Sequence, residues 1–102
     1  MIINDIKTSS FSVKKDEKLI YKYVRHASVG IGIDVDIEDT GVLKLSGTKE
    51  RNVSVNPDSN GGDKIEGEYT FEVLQKGSCR LSFKKIFRDK VKFEDVWVVE
   101  VV

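Results

Sequence analysis

Histidine occurs once in this chain of 102 residues, as His26, and cysteine once, as Cys79. Any Ser-His-Asp triad or Cys-His dyad would therefore have to use His26. Alternation around Cys79 assigns it to the apolar face of a different strand, together with Leu81 and Phe83, where a thiol acts as a small hydrophobe. The pattern speaks against catalysis, and His26 reads as an exposed loop residue. A lone cysteine also excludes an internal disulfide. Asp34, Asp36 and Glu38 alternate like metal-binding carboxylates, but a strand sets them in a line and not around one ion, so a solvated strand face is the better account. Gly61-Gly62 has no strand before it and no Lys-Ser/Thr pair after it, and so is no phosphate loop. No metal and no cofactor is expected.

Charge narrows the partners. Lys and Arg balance Asp and Glu at 17 each, which leaves no net field to draw the chain onto nucleic acid or an anionic membrane. Aromatics are not interleaved with a basic stripe, which further disfavours nucleic acid. The start, MIINDIKTSS, has neither a basic nor an apolar leader region, and no stretch approaches transmembrane length. A soluble chain is expected, monomeric when free and forming one domain, long enough to bury roughly two thirds of its unfolded surface.

The elements that would carry these residues are strands. From Glu68 to Val73, Tyr69, Phe71 and Val73 share one side; from Ser78 to Lys84, Cys79, Leu81 and Phe83 do the same. Gln75-Lys76-Gly77 supplies the turn between them. Earlier in the chain, Phe11 to Val13 reads as a first strand and Lys18 to Val24 as a second, whereas Ile2 to Ile6 is too short to assign. Ile31 to Glu38 alternates most cleanly, with Ile31, Ile33, Val35 and Ile37 inward. Asp39-Thr40-Gly41 turns the chain into a short strand, Val42 to Leu45, that Gly47 ends. Asn52 to Val55 is a short strand or an extended segment, and Asn56 to Gly62 is the strongest loop signal. Lys85 to Lys92 reads as a long charged connection, and Asp95 to Val102 as the terminal strand with Trp97, Val99 and Val101 inward.

Seven or eight short strands without a useful helical window predict an all-β fold, an immunoglobulin-like antiparallel β-sandwich, with a small barrel as the alternative. If the third and sixth strands are neighbours, outward Asp34, Asp36 and Glu38 lie beside outward Arg80 and Lys84 and help to hold the register. Three irregular segments, Arg25 to Gly32, Pro57 to Gly67 and Lys84 to Lys92, occupy positions that cluster at one end of such a sandwich. Loops held on a rigid scaffold are where binding concentrates.

These segments resemble the chagasin-like inhibitors of papain-type cysteine peptidases. His26-Ala27-Ser28-Val29-Gly30-Ile31 stands where that family has an Asn-Pro-Thr-Thr-Gly-Tyr type motif, and Ser59-Asn60-Gly61-Gly62 looks like its glycine-rich motif. Lys85, Ile86 and Phe87 fill the positions of an Arg-Pro-Trp type motif, after a run similar to the family's strand, turn and strand. The resemblance covers about the last three quarters of the chain and is stronger in strand spacing than in motif identity. It departs at His26 and Ala27, which replace an Asn-Pro pair, and at Ile86, where the missing proline leaves the third loop less rigid.

What the resemblance implies is a non-enzymatic, reversible inhibitor whose partner is a papain-family cysteine peptidase. Its contact residues would be His26, Ala27, Ser28, Val29, Gly30 and Ile31 in the first loop, Asn60, Gly61 and Gly62 in the second, and Lys85, Ile86, Phe87 and Arg88 in the third. An immunoglobulin-like adhesion or assembly module, binding a protein through a strand edge or sheet face, is the alternative; Val98 and Val102, opposite Trp97, favour it.

Overall fold

The apolar rows assemble as two facing sheets. The computed structural model describes residues 1–26, 32–52, 64–88 and 90–102, with His26 described by its backbone alone. Among these residues the strands are β1 (Ser10–Val13), β2 (Lys18–His26), β3 (Gly32–Ile37), β4 (Leu43–Asn52), β5 (Lys64–Val73), β6 (Gly77–Phe87) and β7 (Lys90–Val101). One sheet has the order β1-β7-β6-β3 and the other β2-β5-β4. Pairing is antiparallel except between β1 and β7, which run parallel. The expectation of an all-β sandwich is met.

The inner rows meet in an aromatic core. Phe71, Val73, Cys79, Leu81, Phe83, Trp97, Val99 and Val101 are all buried, as the alternation requires. Phe83 is the hub of the aromatics. Its ring stacks on Tyr21 of the other sheet, with centroids 3.6 Å apart, and meets Phe71 and Trp97 edge-on at 5.8 and 5.9 Å. Burying each such side chain stabilises the fold by roughly 1.5–3 kcal/mol, and edge-to-face contacts add to that. The Cys79 sulfur accepts a hydrogen bond from the Asp39 backbone N–H at 3.4 Å, and burial pushes its thiol pKa up.

Several boundaries differ from the sequence expectation. Gly47 does not end β4. Ser46 is the extra residue of a β-bulge between Leu45 and Gly47, after which pairing with β5 resumes as far as Asn52. β5 starts at Lys64, so the second irregular segment is shorter than Pro57 to Gly67. Arg25 and His26 continue β2 because the inward row Leu19, Tyr21, Tyr23 simply goes on to Arg25. Lys85 to Lys92 is not a long connection: β6 runs to Phe87, β7 begins at Lys90, and Phe87 pairs with Lys90 across a two-residue loop. Charged side chains at a hairpin end need no burial, so their density is a poor guide to where a strand stops.

Smaller differences have similar causes. Val42 belongs to the turn, with its N–H donating to the Asp39 carbonyl, and β4 starts at Leu43. Ser82, expected outward, is 7% exposed because β3 and β7 flank it on both sides. Asp34 does stand opposite Lys84 in the register, but among the described residues the ion pairs that close are Arg25–Glu50 and Arg51–Glu66. Ile2 to Ile6 forms a bridge from Ile2 to Ile20 and one 3-10 turn, Ile3–Asp5, that sinks Ile3 into the core.

Candidate functional site

The strand ends define one pole of the sandwich. In one sheet the end of β2 lies beside the start of β5 (His26 opposite Lys64), and the end of β4 lies beside it too (Asn52 opposite Ile65). In the other sheet the start of β3 lies beside the end of β6 (Gly32 opposite Ile86), next to the β6–β7 hairpin. Further into the sandwich, mid-strand Tyr69 links the two sheets, its hydroxyl donating to the Ile33 carbonyl near the start of β3 at 3.1 Å. Tyr23, Val24, Ile33 and Lys85 also line one open groove of about 490 Å³ between the sheets.

Beneath this pole lies a polar cluster that the sequence reading did not single out. Tyr23, Gly67 and Glu50 are in register across β2, β5 and β4. The Tyr23 ring leans over Gly67, which has no Cβ to obstruct it, and its hydroxyl donates to Glu50 at 2.8 Å. Arg25 binds the same carboxylate with both of its prongs, Nε at 2.7 Å and Nη2 at 2.9 Å. These hydrogen bonds from Arg25 first, and from Tyr23 second, hold the Glu50 carboxyl at about 2. Burial, reinforced by Glu50, pushes the Tyr23 hydroxyl well above its ordinary range, and burial does the same to Tyr69. The two rings lie 5.0 Å apart at 29°. A weak signal was present: the alternation of β2 carries Arg25 onto the inner face, where an unpaired guanidinium would be costly.

Of the residues expected to contact a peptidase, Lys85, Ile86 and Phe87 form the half-buried end of β6, and Arg88 is exposed at the hairpin tip. The Arg88 guanidinium sits 5.0 Å from the centre of the Phe87 ring. Arg88 also adopts φ 52°, as tight two-residue hairpin loops require. His26 is the last residue of β2. Ala27, Ser28, Val29, Gly30 and Ile31, and Asn60, Gly61 and Gly62, lie outside the described residues, but the strand ends on either side of both stretches are at this pole.

Among the described residues no group of three or more His, Cys, Asp or Glu side chains is placed to hold a metal. No described helix is long and apolar enough to cross a membrane.

No family model and no curated protein matches the sequence. Solved structures do match the fold. The chain is similar to the cysteine protease inhibitor EhICP2 from Entamoeba histolytica, with a TM-score of 0.79 at 10% sequence identity, covering 100% of this chain and 93% of that one. It is similar to Amebosin, with a TM-score of 0.58 at 14% identity over 99% of this chain and 92% of the other. It is also similar to domains 4 and 5 of the S-layer protein SbsC, with a TM-score of 0.53 at 16% identity over 94% of this chain and 49% of that one. At these identities the likeness is one of fold, and at that level it agrees with the resemblance to chagasin-like inhibitors drawn from the strand spacing and loop motifs.

Proposed function

We propose that the chain is a reversible, non-covalent protein inhibitor of papain-like cysteine peptidases, acting by filling the active-site cleft with one pole of the sandwich. The observation that supports this most is the gathering of six strand ends at that pole, in a fold similar along its whole length to a cysteine protease inhibitor. The strand ends that carry the three connections are fixed by the sheets, and pre-organisation of those ends favours affinity.

In this reading Val29 and Gly30 approach the catalytic cysteine of the enzyme with backbone that offers no correctly presented bond to cleave. Asn60, Gly61 and Gly62 lie along one wall of the cleft, and Lys85, Ile86, Phe87 and Arg88 along the other. The chain itself has no catalytic part in the encounter. Phe87, an aromatic braced by Arg88, fits the role of a hot spot.

Titration of papain activity with the purified chain tests the proposal. Stoichiometric loss of activity is expected, with Phe87→Ala weakening inhibition by about 2 kcal/mol, roughly thirtyfold. Gly30→Glu should weaken it further by placing a charged side chain at the closest approach. No inhibition at micromolar chain, or equal inhibition by the Gly30→Glu variant, would refute the docking.

A further inference from the structure

A sheet edge leaves backbone N–H and C=O groups free to pair with another chain unless it is short, covered, charged or bulged. Four edges here are managed in those ways. β1 is only Ser10–Val13. β2 is overlaid by the N-terminal segment, through Ile20 N–H to the Met1 carbonyl at 2.9 Å and a two-way bond between the Asn4 side chain and the Lys22 backbone at 2.7 and 2.8 Å. β3 turns Asp34 and Asp36 to solvent, and β4 carries its bulge together with exposed Lys44, Lys49 and Arg51.

The near half of β7 carries exposed Lys90 and Lys92 and a β-bulge at Lys92, but beyond that bulge, from Phe93 to Trp97, no strand covers it among the described residues. β1 reaches only Val98 to Val101, so among the described residues 90–97 are paired on the β6 side alone. Val98 donates its N–H to the Ser9 carbonyl on the β1 side. By the two-residue period, Val96 and Glu94 turn their N–H and C=O groups to that same side, where no strand meets them. Their surroundings are apolar and basic. Val91 is 54% exposed, Phe93 50% and Val96 37%. Phe93 lies on the wall of the 490 Å³ groove, with Tyr21, Ile33 and Phe83 also lining it. Lys84, Lys85, Arg88, Lys90 and Lys92 cluster in the hairpin against one acid of that stretch, Asp89, although the chain as a whole is neutral. Of the two acids further along, Asp95 accepts from the Tyr21 hydroxyl at 3.3 Å, and Glu94 stands opposite Lys84 in the register.

We propose that this edge, centred on Glu94 and Val96, takes an extended acidic segment of a protein partner as an added strand. Backbone pairing would supply the bonds, the hairpin cations would face the partner's carboxylates, and one apolar side chain would enter the groove beside Phe93. This surface adjoins the third loop and shares Lys85 and Arg88 with it, but its backbone pairing along Glu94 and Val96 lies outside the three loops and requires no peptidase.

The probe is a blocked peptide of alternating Glu and Val, compared with the same peptide carrying Lys in place of Glu, with amide exchange of the intact chain followed by NMR. The acidic peptide should slow exchange at the Glu94 and Val96 amides and bind more weakly as salt rises. Val96→Pro deletes a donor on the free side and leaves the β6 ladder untouched, so it should weaken binding about tenfold. The double variant Lys90→Glu with Lys92→Glu should weaken it too, and keeps the test valid if the proline variant folds poorly. Equal binding of the Lys peptide, preference for anionic vesicles over the peptide, or saturation without protection of Glu94 and Val96 overturns the proposal.

Discussion

Arg88 keeps a backbone conformation that side-chain-bearing residues avoid, at φ 52° beside the Phe87 ring. Holding an L-residue there costs about 1 kcal/mol. Arg88→Gly is therefore expected to raise the urea midpoint by a comparable stability gain and, on the proposed function, to weaken papain inhibition because the guanidinium brace on Phe87 is gone. Glu50 gives a second prediction at this scale. Its carboxyl is lowered from an ordinary 4.5 to about 2 in the folded chain. The folded state therefore binds this proton less readily than the unfolded one, so the Arg25–Glu50 pair stabilises the fold above about pH 4.5 and that contribution is lost as pH falls toward 2. Glu50→Gln removes the charge but keeps an acceptor for Tyr23. Its stability deficit, measured by urea unfolding across that range, should be largest at neutral pH and shrink toward zero near pH 2.

Among the elements, β2, β5 and β4 depend on one missing side chain. A Cβ at position 67 would overlap the Tyr23 ring that bridges to Glu50. Gly67→Ala should destabilise the chain by about 1–3 kcal/mol, as overpacked sites do, again read from urea unfolding. The strands were legible wherever apolar and polar residues alternate over a buried face: Tyr69 to Val73, Cys79 to Phe83 and Trp97 to Val101 needed only a period of two. What misled was chemistry that imitates an ending. Gly47 reads as a terminator yet serves a bulge, and the cations of residues 84–92 read as a loop yet flank a hairpin. At the pole, Arg25 and Glu50 lie 25 residues apart on different strands, and nothing local links them until β5 brings β2 and β4 into register. Gly, Pro and Asn mark the second segment in the sequence, but how much of the segments is strand was not legible: residues 64–67 belong to β5, and 84–87 and 90–92 to β6 and β7.

For the molecule as a whole, the order β1-β7-β6-β3 over β2-β5-β4 makes three of the five strand pairings, β1 with β7, β3 with β6 and β2 with β5, distant in sequence. Chains of this topology fold in milliseconds to seconds, and refolding from urea followed by Trp97 fluorescence is expected in that range. The same architecture encloses the single thiol. Cys79 is fully buried between the sheets, with its sulfur accepting from Asp39 and its ionisation suppressed. Only thiolates attack disulfides or alkylating agents, so iodoacetamide should label the native chain no faster than it unfolds. A fold that encloses its lone sulfur in this way offers no exposed thiol, among its described residues, for mixed-disulfide exchange with a partner.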